Sequence, residues 1–175
     1  CSLVGSEMCI RDRLEAMIAY MGGDARRIQH FIKVHALAQL IGRQEQLDER
    51  TQFILEAAAL THDIGIKNGE AKFGAGKCSG KTQELEGPPA AAELLAKLGF
   101  APDVCERVCY LIGHHHTYTN IDGMDYQILV EADFLVNFYE DGMSKEAIQT
   151  ACGRIFKTAS GICLLYTSDA ADDLT

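Results

Sequence analysis

The 175-residue chain has no tryptophan, three prolines and no apolar run near the roughly 20 residues of a membrane-spanning helix. Nor does it alternate apolar and polar residues with the period of two that marks half-buried strands. Basic residues number 16 against 25 acidic ones, a net charge of −9, which excludes the basic face of a protein that coats nucleic acid. The seven cysteines, an odd number without paired spacing, make no disulfide framework; reduced thiols are expected, as in the cytoplasm. What is present, 47% hydrophobic and 23% charged residues, fits one globular domain with a real core rather than a disordered or collagen-like chain.

The two ends stand apart from the rest. Glu7-Met8-Cys9-Ile10-Arg11-Asp12 and Cys163-Leu164-Leu165-Tyr166-Thr167-Ser168 can be encoded around the strings AGATGTGTATAAGAGACA and TGTCTCTTATACACATCT, which are reverse complements. Such an inverted repeat resembles the translated end of a sequencing adapter, so residues 1–13 and 163–175 are expected to be foreign to the domain. Residues 14–162 then hold 14 basic and 20 acidic side chains, a net charge of −6, and four cysteines, Cys78, Cys105, Cys109 and Cys152.

Within 14–162 the apolar spacing is helical. A short piece over 14–21 stops at Gly22-Gly23, and Asp24 is the expected N-cap of a helix over 25–41. Residues 48–61 contain Ile54-Leu55 and the apolar run Ala57-Ala58-Ala59-Leu60 and predict a buried helix that ends on His62-Asp63. Residues 64–87, rich in Gly and Lys, predict a long loop. Pro88-Pro89 are expected to begin a helix to Leu98, Asp103 to cap one over 104–113, and residues 125–139 to form another before Gly142. Ser144 is the expected cap of the last helix, which makes the domain an all-α, single-domain bundle.

His62 and Asp63 close the helix expected to be the most buried, and two further polar residues, His30 and Asp133, sit within otherwise apolar helical faces. A buried ionised carboxylate needs an ion pair or a metal. Neutral imidazole with hard carboxylate oxygen suits Mn, Fe, Co, Ni, Zn or Mg. His35, five positions after His30, falls on another face and is read as structural, and Cys105 and Cys109 as small packed hydrophobes.

His30, His62-Asp63 and Asp133, in that order and on helices, resemble the ligand set of the HD-domain superfamily of metal-dependent phosphohydrolases. The surroundings Arg27-Ile28-Gln29-His30, Ala58-Ala59-Leu60-Thr61-His62-Asp63-Ile64-Gly65 and Glu131-Ala132-Asp133-Phe134 carry the same resemblance, which covers nearly all of 14–140. It implies an HD-type bundle in which His30, His62, Asp63 and Asp133 hold a divalent ion. It also implies that a His-His step between the HD pair and the last Asp holds a second ion or touches substrate phosphate. Of His114-His115-His116, we expect His114 and His115 to point at the site, with His115 and His116 as candidate phosphate contacts and a solvent-facing His116 as the alternative. Glu86 stands where relatives often have a histidine, and is the candidate carboxylate ligand of the second ion. Lys67, four residues past Asp63, resembles the lysine that relatives place beside the site and would steady a phosphoryl oxygen.

Residues 75–82, Ala75-Gly76-Lys77-Cys78-Ser79-Gly80-Lys81-Thr82, fit a relaxed phosphate-loop pattern, but no strand precedes them and a nucleotide cradle requires one. They are read instead as part of a basic flap, Lys67, Lys72, Lys77 and Lys81, that draws an anion to the metal site. The resemblance implies hydrolysis of a phosphoester or phosphoanhydride of a small molecule, a nucleotide foremost, by metal-activated water, with Asp63 and Lys67 in catalytic roles. Two alternatives stand beside it: a di-iron oxygenase using the extra histidines, and a non-catalytic ligand-sensing module. The expected partner is a small phosphorylated molecule, with neither a nucleic acid polymer nor a membrane.

Overall fold

Asp24 opens the fold's central helix by accepting a hydrogen bond from the Arg27 amide, and the helix runs to Gln44 before Gln46 turns the chain at φ 57°. The computed structural model describes residues 3–167, with side chains from residue 12 onward. Its helices are α1 (Leu3–Met21), α2 (Ala25–Gln44), α3 (Glu49–Thr61), α4 (Gly65–Phe73), α5 (Gly80–Lys97), α6 (Pro102–Ile112), α7 (Met124–Glu140), α8 (Lys145–Ile155) and α9 (Ala159–Thr167), with a 3-10 turn at His62–Ile64. Among the described residues there is no strand, and no helix is long and apolar enough to cross a membrane. Of the ends expected to be foreign, residues 1–2 and 168–175 lie outside the described residues; the rest belong to α1 and α9.

Helices α2, α3 and α7 pack against one another at the centre, through Phe31, Leu55, Leu60, Ile128 and Leu129, all fully or almost fully buried. Burial of each such side chain contributes on the order of 2 kcal/mol relative to exposure. A smaller cluster of Phe138, Ile148, Phe156 and Leu165 joins α7 to α8 and α9. Buried Glu131 accepts hydrogen bonds from the amides of Lys157 and Thr158, the Thr158 hydroxyl and the Gln127 amide group, and so ties the α8–α9 junction to α7.

The stretch 64–87 is not a loop. Residues 65–73 form α4, and α5 begins at Gly80, capped by Ser79, eight residues before Pro88. Glycine hides this helix from a hydropathy reading because it adds no apolar signal, yet it is what permits the packing. A Cβ at Gly65 would lie 2.6 Å from the Gly87 amide nitrogen, and one at Gly87 would lie 2.5 Å from Cγ2 of Ile112. The HD turn and α5 therefore meet backbone to backbone, with the Ile112 side chain at the end of α6 against the α5 backbone, and this packing overrides the weak helical propensity of the segment. Helix α5 continues through Pro88-Pro89 although both lack the amide hydrogen a helix uses; the Cys109 thiol donates to the Pro88 carbonyl at 3.4 Å. Ala101, not Asp103, is the N-cap of α6, with Pro102 in its first turn. The caps at Asp24 and Ser144 stand where the sequence puts them.

Candidate metal centre

Helix α3 is buried over its last eight residues, so its C-terminus delivers His62 and Asp63 into the interior instead of onto the surface. Facing them, α2 presents His30 and α7 presents Asp133, both with under a tenth of their surface exposed. Nε2 of His30 lies 3.2 Å from Nε2 of His62 and 3.1 Å from Oδ1 of Asp133, and Nε2 of His62 lies 3.6 Å from that same oxygen. Oδ2 of Asp63 is 3.7 Å from Nε2 of each histidine. On its other side, Oδ1 of Asp63 is 3.7 Å from Nε2 of His115. Donor atoms of His30, His62 and Asp133 form one group within 4.8 Å of one another, and those of Asp63, His115 and His116 form a second.

The outer nitrogens of these rings are already engaged. Nδ1 of His62 lies 2.9 Å from the Ala59 carbonyl and Nδ1 of His115 lies 2.7 Å from the Ile112 carbonyl; since a carbonyl only accepts, each Nδ1 donates and leaves Nε2 as the ring nitrogen aimed inward. Among the described residues, buried Nε2 of His115 has no hydrogen-bond partner. A buried ring nitrogen without a partner, next to a carboxylate, suits a metal ligand, and the donor set of imidazole nitrogen and carboxylate oxygen fits a divalent ion.

Electrostatics point the same way. Burial disfavours charge on His62, but Asp63 and Asp133 override it and push its pKa up to about 9. Burial would likewise raise Asp63, yet His62 and His115 hold it down to about 2. Asp133 is held far below the usual carboxylate range, against burial, by hydrogen bonds to His30 and His62. Burial and neighbouring His115 instead push His116 down to about 4, which leaves that ring neutral with a lone pair to give. Protons on imidazoles thus balance buried carboxylates where a cation could replace them.

The structure brings His30, His62, Asp63, Asp133, His115 and His116 together; it does not bring His114, Glu86 or Lys67 to them. Helix α6 ends at Ile112, and the turn that follows places His114 over the Tyr110 ring, with Nδ1 2.7 Å from the Tyr110 carbonyl. The inward register is therefore one residue later than expected. Glu86 faces α4 and is held by Lys72 at 2.7 Å through both carboxylate oxygens. Two residues along a helix is more than half a turn, so it is Glu84 that faces the site, buried and accepting from the His116 amide and the Thr117 hydroxyl. Lys67, carried round by α4, donates to the Tyr20 carbonyl at 2.6 Å and lies over the Tyr20 ring. The expected lysine flap does not border the site either: Lys67, Lys72, Lys77 and Lys81 are all exposed and none lines the cavity over it.

That cavity, about 500 Å³, is bordered by His30, Asp63, His116 and Asp133 and carries Arg26 and Arg27 as its cations. Arg27 is held by Glu70 at 2.9 Å and Asp24 at 3.4 Å. Further supports absent from the sequence reading are Glu140, whose Oε2 is 3.0 Å from Nδ1 of His30, and Gln83, 3.0 Å from Nε2 of His116. For Arg27 and Glu140 the signal is helical spacing: Arg27 precedes His30 by three residues and Glu140 follows Asp133 by seven, each on the ligand's own face.

A family model, described as HD domain, matches residues 27–160. No curated protein and no solved structure matches the chain.

Proposed function

The chain belongs to the HD-domain family, and on that premise we propose that it is a metal-dependent phosphohydrolase that cleaves a phosphoester or phosphoanhydride of a small molecule, a nucleotide foremost. The observation that carries this reading is the position of Asp63, with one carboxylate oxygen toward His30 and His62 and the other toward His115. His30, His62, Asp63 and Asp133 would hold one divalent ion; Asp63, His115 and His116 would hold a second, with Asp63 shared. Bound there, a divalent ion supplies positive charge that offsets a phosphoryl oxygen and eases deprotonation of water near neutral pH.

The chain's own groups do the rest. Arg27, at the cavity wall, offers a planar guanidinium to a phosphate oxygen, and the carboxylates of Asp24 and Glu70 keep it in place until an anion enters. Glu84 fixes the turn that aims His115 and His116 by accepting from the His116 amide and the Thr117 hydroxyl. His116, beside the cavity, stays neutral and so has one ring-nitrogen lone pair for the second ion.

The test is phosphate release from a panel of phosphorylated metabolites by manganese-loaded protein under nitrogen. Turnover that disappears with chelator and with Asp63→Asn, in protein that keeps its helical circular dichroism, is expected. Turnover undiminished by either overturns the proposal; oxygen uptake without phosphate release assigns the site to oxidation instead.

A further inference from the structure

A second cavity, about 700 Å³, adjoins the one over the metal centre, and the two share Tyr118 and Phe134. Phe134 directly follows Asp133 on α7, so its ring leaves the helix roughly 100° around from that carboxylate. Tyr118 stands two residues after His116, its hydroxyl 3.4 Å from Nδ1 of that ring, and packs edge-on against Phe134 with ring centroids 5.1 Å apart. Beyond this pair of rings the annex is walled by Ala147, Ala151 and Ile155 of α8. Its charged groups, Glu146 and Arg154, are both exposed.

The contrast between the two chambers is chemical. The inner one is lined by carboxylates, imidazoles and two guanidinium groups and suits a phosphate with its counter-cations. The outer one offers an aromatic edge and face, small alanines that leave flat space, and a charged rim able to pair with the polar edge of a heterocycle.

We propose that the substrate carries its phosphate in the inner chamber and an aromatic ring, such as a nucleobase, in the annex between Tyr118, Phe134 and α8. The proposal rests on the phosphohydrolase reading for the identity of the inner group, but its own claim concerns the ring. Phe134 and Tyr118 thereby become specificity residues, joining recognition of the ring to ligands that are one and two residues away in sequence.

Binding of phosphonates, which are not hydrolysed, tests the annex without turnover. Manganese-loaded protein is titrated calorimetrically with phenylphosphonate, methylphosphonate and hexylphosphonate. Phenylphosphonate is expected to bind about tenfold more tightly than methylphosphonate, and more tightly than the flexible hexyl compound. Ala147→Phe and Thr150→Phe, made separately so that one misfolded variant does not decide the result, fill the annex and are expected to bring the phenyl-to-methyl ratio close to one. Equal affinities in the unaltered protein, no binding of either compound, a preference for hexyl, or a ratio that survives both substitutions overturns the proposal. A phenyl preference in a protein that hydrolyses no phosphoester supports the annex while removing the hydrolase; hydrolysis of methyl and phenyl phosphates with equal KM removes the annex alone.

Discussion

Glu140 holds the outer edge of His30: its Oε2 lies 3.0 Å from Nδ1 of the ring, and its Oε1 accepts from Nζ of Lys33 at 2.8 Å. Burial opposes the charge on Glu140, but Lys33 and His30 override it and hold the carboxyl below its ordinary range. An ionised carboxylate can only accept, so Nδ1 of His30 donates to Glu140, which fixes the ring with Nε2 turned toward His62 and Asp133. Helix α7 therefore contributes twice, with Asp133 in the donor group and Glu140 behind a donor of the opposite helix.

Removing that support is expected to loosen metal binding without unfolding the domain. Glu140→Ala should weaken manganese affinity 10- to 100-fold, the range typical of groups that orient a ligating histidine. Glu140→Gln keeps an acceptor oxygen and should restore part of the loss. Calorimetric titration with manganese measures both, and an unchanged affinity in the alanine variant would show that His30 is aimed by packing alone.

The histidine run separates by position. His115→Gln and His116→Gln should each reduce the number of manganese ions bound per chain, because both side chains share the second donor group with Asp63. His114→Gln should bind as many ions as the unaltered protein, since its ring stacks on Tyr110 and its Nδ1 is spent on that residue's carbonyl. Elemental analysis after gel filtration distinguishes the three; loss of an ion from the His114 variant alone would reverse the register.

The sequence made the donor group legible wherever the chemistry was unusual for its setting. Histidine and aspartate on apolar helices at 30, 62, 63 and 133 stand out because a buried charge requires a partner. Glu84 and Glu86 are different: both are acidic residues in one run, and only the frame of α5 decides which faces inward. That frame was hidden, since Gly65, Gly69, Gly80 and Gly87 carry no hydropathic signal and Pro88-Pro89 imitate a helix start. Lys67 failed for the same reason, because a lysine placed by a loop and one placed by a helix point in different directions.

The pH dependence of metal-linked stability has a definite sign. The folded-state pKa of His62 is raised from 6.5 to about 9 by Asp63 and Asp133 acting against burial. Its proton therefore stabilises the metal-free fold fully below about pH 6.5, and that contribution is lost as pH rises through 9. A ring whose Nε2 holds a cation carries no proton there, so the loaded protein lacks this loss. The gap in Tm between manganese-loaded and metal-free protein should widen steadily from pH 6.5 to 9. Melting curves at three pH values across that window check it; a gap that narrows with pH would show that His62 does not hold the proton.

The close approach of Gly65 to the backbone of α5 sets the last prediction. Gly65 follows the HD turn directly, and any Cβ there would stand 2.6 Å from the Gly87 amide nitrogen, 2.7 Å from the Gln83 carbonyl and 2.9 Å from Cα of Gly87. All three are backbone atoms of α5, so no side chain can rotate away, and relief requires the whole helix to move. Gly65→Ala should cost about 1–3 kcal/mol in denaturant unfolding, at the upper end of that range because the obstacle is rigid. Since α5 also carries Gln83 and Glu84, which hold the His116 ring and amide, the displacement should weaken manganese binding at the Asp63–His115–His116 group more than at His30–His62–Asp133. Gly76→Ala is the control: its φ of +71° strains the same substitution, but no described residue lies within 4 Å of the added carbon. If both variants lose similar stability and neither changes metal binding, the contact between the HD turn and α5 does not position the second donor group.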